Sequence, residues 1–383
     1  MKCKLGDLVQ SISDTYDFKG KYSVIFVNTS DVYDGNISGV KSNINKLPGQ
    51  AKKSIENDDI LFSEIRPKNK RFALVEKIDT KKYVVSTKLM VLRNNNHKLL
   101  DTKYLYLYLT SPTMIDYFQN EAESRSGTFP QITFKDNVAN VEIDLPSLKE
   151  QQHIVQKINT INEKIVLNNQ INDNLSKIQL LNLSKLINNK LYEISKIKDL
   201  EITVSDHVAN GSFKALKDNV TYFDYPNYAL FIRNVDFKNN LSGNKRYINK
   251  ESYNYLKKSH LFGGEVVISN VADVGSVHRV PFIKKPMVVG NNQIFIKSKY
   301  HTMTDYLYVY FQSFWGQSAI SSITSGSAQQ KFNKTDFRSL EVPIPTKNWI
   351  QSNITPYVTL QDRIFNENQS LKRIKVTLLN HYF

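Results

Sequence analysis

The sequence holds one cysteine, Cys3, in 383 residues. A lone thiol cannot build a disulfide framework or a zinc site of paired cysteines. No stretch approaches the ~18 apolar residues of a membrane-spanning helix. The opening Met1-Lys2-Cys3-Lys4-Leu5-Gly6-Asp7 lacks the apolar core of a secretory signal, so a reducing cytoplasm is the expected location. With 14 Gly and 11 Pro the chain is neither collagen-like nor of low complexity. The histidines, His97, His153, His207, His260, His278, His301 and His381, show no metal-ligand spacing. There is no Walker loop, dinucleotide fingerprint or nucleophile elbow, and no methyltransferase-type Gly-rich loop or Pro-Pro-Tyr segment. The expectation is a binder rather than an enzyme, with no cofactor or metal of its own.

What is present in excess is positive charge. Fifty-one Lys and Arg against 36 Asp and Glu leave +15. That suits a polyanionic partner such as nucleic acid. A Lys- and Asn-rich proteome of an AT-rich genome would produce the same excess. The length exceeds one ordinary domain of ~100–200 residues, and 40% apolar residues are enough for two cores.

The two halves repeat each other. Gly127-Thr128-Phe129-Pro130-Gln131 opens a stretch that ends Leu145-Pro146. Gly326-Ser327-Ala328-Gln329-Gln330 opens one that ends Ile344-Pro345, 199 residues on at both ends. Four more pairs follow in the same order. Tyr104–Leu109 matches Tyr306–Phe311, and Asp59–Ser63 matches Glu265–Ser269. Val84-Val85-Ser86 before Leu89–Leu92 matches Val288-Val289-Gly290 before Gln293–Ile296, and Tyr22–Val27 matches Tyr228–Arg233. Each half reads as short alternating strands bounded by Asn, Asp and Gly, then a helix (Thr102–Asn120; Thr304–Ser322), then a Gly-containing loop and a strand ending in Pro. Asp58-Asp59 with Glu64 and Lys68 could suggest a nuclease metal site. The second half has Glu265 there but no second acid or Lys, so the group is better read as a turn meeting a strand.

After each terminal Pro comes a long helix. From Lys149 to about Asn189 there is no Gly or Pro. Ile154, Ile158, Ile161 and Ile165 recur at heptad spacing, and Ile171, Leu175 and Ile178 continue beyond Asn168. The second series is Ile350, Ile354, Val358, Phe365, Leu371 and Leu378, with Asn368 standing 200 residues after Asn168. Neither helix can bury its stripe alone. The fold expected is mixed α/β (α+β): two tandem globular domains (1–145 and 196–345) alternating with two long helices (146–195 and 346–383) that pair as an antiparallel coiled coil, with an Asn–Asn contact setting register. These four segments carry +3, +7, +2 and +3 in that order.

This arrangement resembles the specificity subunit of type I restriction–modification systems. The stretch Ile143-Asp144-Leu145-Pro146-Ser147-Leu148-Lys149-Glu150-Gln151-Gln152-His153-Ile154-Val155 is similar to that family's junction of strand, Pro, Glu-Gln and long helix. The second junction departs from it: Thr346-Lys347-Asn348-Trp349-Ile350-Gln351 stands there, and Pro356 falls inside the helix, where it can kink or restart it. The resemblance implies a non-catalytic subunit that reads double-stranded DNA. Each domain would read one half of a bipartite, asymmetric site, and the helices would set the gap. Two methylase subunits that use S-adenosylmethionine would dock on it, and endonuclease/translocase subunits can join them. Two other readings stay open: a specificity module of another restriction or phage-defence system, and a coiled-coil adaptor that binds no DNA.

Candidates for reading DNA lie in loops between strands, where Lys and Arg meet phosphates or guanine and Asn and Gln suit adenine. In the first half they are Arg66, Lys68, Lys70 and Arg71, then Ser86, Thr87 and Lys88, then Arg125, Thr128 and Gln131. The internal match adds Asn270, Arg279, Asn291, Asn292, Ser327, Gln329, Gln330 and Lys331. The tyrosines Tyr104, Tyr106, Tyr108, Tyr306, Tyr308 and Tyr310 are read as packing on a core or an interface.

Overall fold

The computed structural model describes residues 1–124, 130–327 and 329–383. Runs such as Ile60–Ser63 and Leu89–Leu92 are buried at every position, as strands covered on both faces are. They lie inside an antiparallel sheet ordered Val9–Ile12, Leu89–Asn94, Ile60–Ser63, Phe72–Leu74. Successive side chains point to opposite faces. Ile60, Phe62, Met90 and Leu92 therefore enter one core, and Leu61, Leu89 and Val91 another.

The second half repeats this order with Ile202–Asp206, Gln293–Ser298, Val266–Ser269 and Val277–Arg279. Register is repeated too: Ser63 faces Leu89, and Ser269 faces Gln293. Each half has a further sheet with one parallel pair, Ser23–Val27 beside Tyr83–Ser86 and Ala229–Ile232 beside Met287–Val289. A parallel pair needs a long crossover, so its recurrence at the same place shows the duplication more strongly than any hairpin.

The acids of the Asp59 and Glu265 loops are structural. Asp59 is buried, accepts the Glu56 N–H at 2.7 Å and holds Arg93 through both carboxylate oxygens at 2.7 and 2.8 Å. Glu265 accepts the N–H groups of Phe262 and Gly263, both at 2.8 Å. The loops share a left-handed residue, Asp58 at φ 72° and Gly264 at φ 82°.

The helices expected over Thr102–Asn120 and Thr304–Ser322 are each two helices. The breaks give Thr102–Leu109 with Pro112–Ser124, and His301–Gln312 with Phe314–Ser322. A serine stops each first helix and starts the second. Ser111 Oγ accepts the Met114 N–H, and Ser313 Oγ the Gly316 N–H. A proline ring follows one break. At the other, a Cβ on Gly316 would lie 2.1 Å from the Tyr310 carbonyl oxygen. Tyr104, Tyr306 and Tyr310 are buried, and Tyr106 and Tyr108 pack on the first core.

The Glu-Gln junction has a physical basis. The central helix runs over Leu148–Asn188, 41 residues, or roughly 60 Å at ~1.5 Å per residue. Ser147 and Glu150 form a reciprocal cap, and the hydrogen bonds from Ser147 hold the Glu150 carboxyl below its usual range. Gln151 is fully buried. It donates to the Leu99 and Pro146 carbonyls and accepts the Asp101 N–H, tying the long helix to the start of Thr102–Leu109. At the second junction Thr346 caps a short helix, Lys347–Asn353, and Thr355–Tyr382 restarts after Ile354 with Pro356 in its first turn.

By compactness the chain divides into two units, Met1–Ile165 with Leu371–Phe383, and Val166–Ser370. Each long helix contributes to both. Ile154, Val155, Ile158 and Leu379 belong to the first core, and Leu183, Leu186, Ile354 and Val358 to the core of the second.

Within the second unit the two helices pair antiparallel. Asn168 Nδ2 donates to Asn368 Oδ1 at 2.9 Å and to Glu367 at 2.8 Å, Gln179 donates to Gln361 at 3.0 Å, and Asn182 to the Asn353 carbonyl at 3.0 Å. The expected seam position Ile178 is instead 39% exposed, and its neighbour Gln179 is buried. The seam keeps its four-three spacing through Asn168, Asn172, Leu175, Gln179 and Asn182. Following only the apolar residues shifts its phase by one.

Removing one amide of a buried pair strands the other. Asn168→Ala should lower unfolding free energy by about 1–3 kcal/mol. Asn168→Leu combined with Asn368→Leu should recover most of it. Urea unfolding of the two variants and the unsubstituted chain measures both effects.

Candidate nucleic-acid interface

In both units the loop after the central strand meets the loop that precedes the terminal strand. Ile65 bridges Gln131, Arg66 N–H donates to the Pro130 carbonyl, and Ile132 N–H to that of Glu64. In the second unit Val271 bridges Lys331, Ala272 N–H donates to the Gln330 carbonyl, and Phe332 N–H to that of Asn270. A third loop joins the second cluster, where Asn270 N–H donates to the Asn292 carbonyl at 3.0 Å. The fold thus gathers Asn270, Asn291, Asn292, Gln330 and Lys331, which are far apart in sequence. Ser327, Gln329, Gln330 and Lys331 are exposed, as are Asn291 and Asn292.

The basic cluster of the first unit is divided. Arg66 is exposed at φ 48°. Lys68 pairs with Asp116 at 3.2 Å and Lys70 with Asp34 at 3.5 Å, both on the surface, where such pairs are worth little and a phosphate can displace them. Arg71 is engaged internally: it donates to the Ser30 and Val32 carbonyls and lies over the Tyr33 ring. Thr87 is half-buried, and Lys88 and Gln131 are exposed. Arg125 and Thr128 lie outside the described residues.

Two expected readers do not reach the surface. Ser86 is fully buried on its strand, and its Oγ accepts the Lys88 N–H. Arg279 is the centre of a buried ion cluster, with Asp305 at 2.8 Å, Asp362 at 3.0 Å and the Gly264 carbonyl at 3.2 Å. Burial raises the carboxyls of Asp305 and Asp362 even beside this guanidinium. Arg279 therefore braces the strand Val277–Arg279 against the C-terminal helix within the second unit. The sequence offered no sign of this, because Asp305 and Asp362 are 26 and 83 residues away.

Sequence reasoning also missed a cleft of about 540 Å³ beside the gathered loops of the second unit. Asn270, Asn291 and Asn292 line it together with His207, Phe213, Tyr222 and Gln293, which carried no motif. Gln293, next to Asn291-Asn292, was the nearest available hint. Among the described residues, no group of His, Cys, Asp and Glu could hold a metal ion, and no helix is long and apolar enough to cross a membrane.

A family model described as the type I restriction modification DNA specificity domain matches residues 1–177 and again residues 189–376. The chain belongs to this family. Over 175 residues it is 46% identical to the type I restriction enzyme HindI specificity subunit of Haemophilus influenzae. That match covers 45% of the chain and 38% of the relative, well under half of the relative's length. In fold it is similar to the crystal structure of a type I restriction-modification system S subunit from M. genitalium. The TM-score is 0.52 and the identity 15%, over 99% of this chain and 94% of the other. The two matches to one family domain coincide with the duplicated sheets and the duplicated loop clusters.

One half-buried histidine beside Arg279 sets a pH dependence. His278 stacks on Phe237 at 5.1 Å, and burial pushes its pKa down to about 4, against ~6.5 in an unfolded chain. Between these values the unfolded chain binds the extra proton. Stability present above pH 6.5 should fall as pH drops from 6.5 through 4, by roughly 3 kcal/mol in all. Urea unfolding at pH 7 and pH 5 should show the loss, and His278→Gln should flatten it.

Proposed function

We propose that the chain is the sequence-reading subunit of a restriction–modification complex. Each unit reads one half of a bipartite, asymmetric DNA site through its gathered loops, and the paired helices set the unread gap and dock methylase subunits. Chemistry resides in those partners, which bring S-adenosylmethionine, and endonuclease subunits can join them in the cytoplasm. The observation that carries this reading is the paired loop cluster, built from the same strands in both halves of a chain whose two halves each match the family's domain. The charge supports it: +15 overall, with +7 in residues 196–345. Lys and Arg on phosphates position a reader, and Asn and Gln at base edges specify the sequence.

Methylome sequencing of cells with and without this gene, expressed beside its methylase partner, should show one split motif that depends on the gene. Exchanging residues 1–165 together with 371–383, which form one unit, for those of a relative should change one half of the motif and spare the other. Both halves changing together would overturn independent reading.

Charge contacts can be tested separately. Arg66→Gln, Lys88→Gln and Lys331→Gln should each weaken binding to all sequences alike and reduce the salt slope of log K by about one per lost phosphate contact. Ser86→Ala should leave the slope unchanged.

A further inference from the structure

Two apolar side chains that line the cleft of the second unit, Val208 and Phe213, are 62% and 85% exposed. Phe213 is held in place by its backbone. It opens the helix Phe213–Asn219, whose N-cap Ser212 accepts the Ala215 N–H at 3.2 Å. Leu216 and Val220 anchor that helix in the core beneath. Gly211 lets the chain pass the Tyr255 hydroxyl, which a Cβ there would meet at 2.7 Å. Lys217 lies one turn after Phe213 on the same helix face, exposed and lining the same cleft.

This helix is an addition to the duplicated skeleton. In the first unit residues 13–22 connect the strands Val9–Ile12 and Ser23–Val27. In the second, residues 207–228 connect the matching strands Ile202–Asp206 and Ala229–Ile232. Among the described residues 13–22 there is no helix. One exposed apolar residue on a surface is ordinary. Two on an inserted segment, beside loops gathered from remote parts of the chain, form a contact surface.

The surroundings indicate what is contacted. Asn291 and Asn292 are exposed and line the same cleft, and asparagine suits the N6 and N7 edge of adenine. Adenine's partner is thymine, whose C5 methyl is the apolar group that marks it in the major groove, and phenylalanine suits that methyl. Lys217 behind the ring suits a phosphate. Asp206, an acid in the cleft wall, is matched by Lys334 at 3.1 Å. We propose that Phe213, with Val208 beside the same cleft, reads the C5 methyl of a thymine in the half-site of the second unit. The proposal rests on the DNA-reading function above and assigns it a specificity-determining residue outside the loops expected to carry it.

The test uses the full chain with its methylase partner and duplexes of its own motif. Each thymine of the half-site read by the second unit, on either strand, is replaced in turn by deoxyuridine. Deoxyuridine lacks the C5 methyl and keeps every hydrogen-bonding edge of thymine. At one position binding should weaken about fourfold, the worth of one buried methyl group. Phe213→Ala should weaken binding to the thymine duplex at least as much, and should no longer distinguish deoxyuridine from thymine at that position. The other half-site should still be read, which shows that the variant folds. Deoxyuridine tolerated at every position, or a half-site without thymine, would overturn the proposal. So would a Phe213→Ala chain that still favours thymine there, or one that loses only its assembly with the methylase partner in the absence of DNA. Each of these results leaves the DNA-reading function standing. Loss of all sequence preference in the unsubstituted complex would overturn that function, and the thymine contact with it.

Discussion

Everything else hangs on two long helices that cannot bury their own seams. A 41-residue helix is far longer than the domain face it starts from, so its apolar stripe must be met by another helix. In the second unit that partner is the other long helix, and amides cross the contact: Asn168 with Asn368, Gln179 with Gln361, Asn182 with the Asn353 carbonyl. Amide pairs stabilise little but tolerate no slip, because one step of misregister leaves buried donors and acceptors unpaired. A scaffold that must hold register gains more from these pairs than from a uniformly greasy seam.

Upon this scaffold the duplicated units keep the same skeleton and change what fills it. The acid at the head of the central strand clamps its own loop in both, yet Asp59 also holds Arg93, while the buried arginine of the second unit, Arg279, turns to Asp305 and Asp362. The loops meet in the same way in both units. The side chains they present differ, with exposed cations in the first unit and amides around a recessed cleft in the second. That division is what a reader of two unlike half-sites requires, since strands fix where a loop stands and loop residues fix what it recognises.

Much of this was legible in order and spacing. Matches 199 to 206 residues apart announced two copies, and Asn168 with Asn368 announced the register of the helices. The candidate loops were found by position, and most of the named residues do lie at the surface. The failures share a cause. Ser86 and Arg279 were chosen for their chemistry, but Ser86 lies on a strand buried on both faces, which gives no alternation to reveal where a polar side chain points, and the acids that hold Arg279 are remote in the chain. Ile178 was chosen for being apolar, whereas the seam follows geometric phase and accepts Gln179. The helices over 102–120 and 304–322 looked continuous because Ser111 and Ser313 are ordinary helix-surface residues until their hydroxyls cap the next turn.

Sequence alone therefore determined the duplication, the order of elements, the two long helices and the positive charge, because these are properties of spacing and composition that survive without a third dimension. Only the tertiary structure decided which charges lie at the surface and which are locked in ion clusters, and that Gln179 and Asn182 join the Asn168–Asn368 pair across the seam. It also showed that His207, Asn270 and Gln293 line one cleft. Those are outcomes of distance between residues remote in the chain, and a hydrogen bond or ion pair forms over about 3 Å, a scale on which sequence separation carries no information.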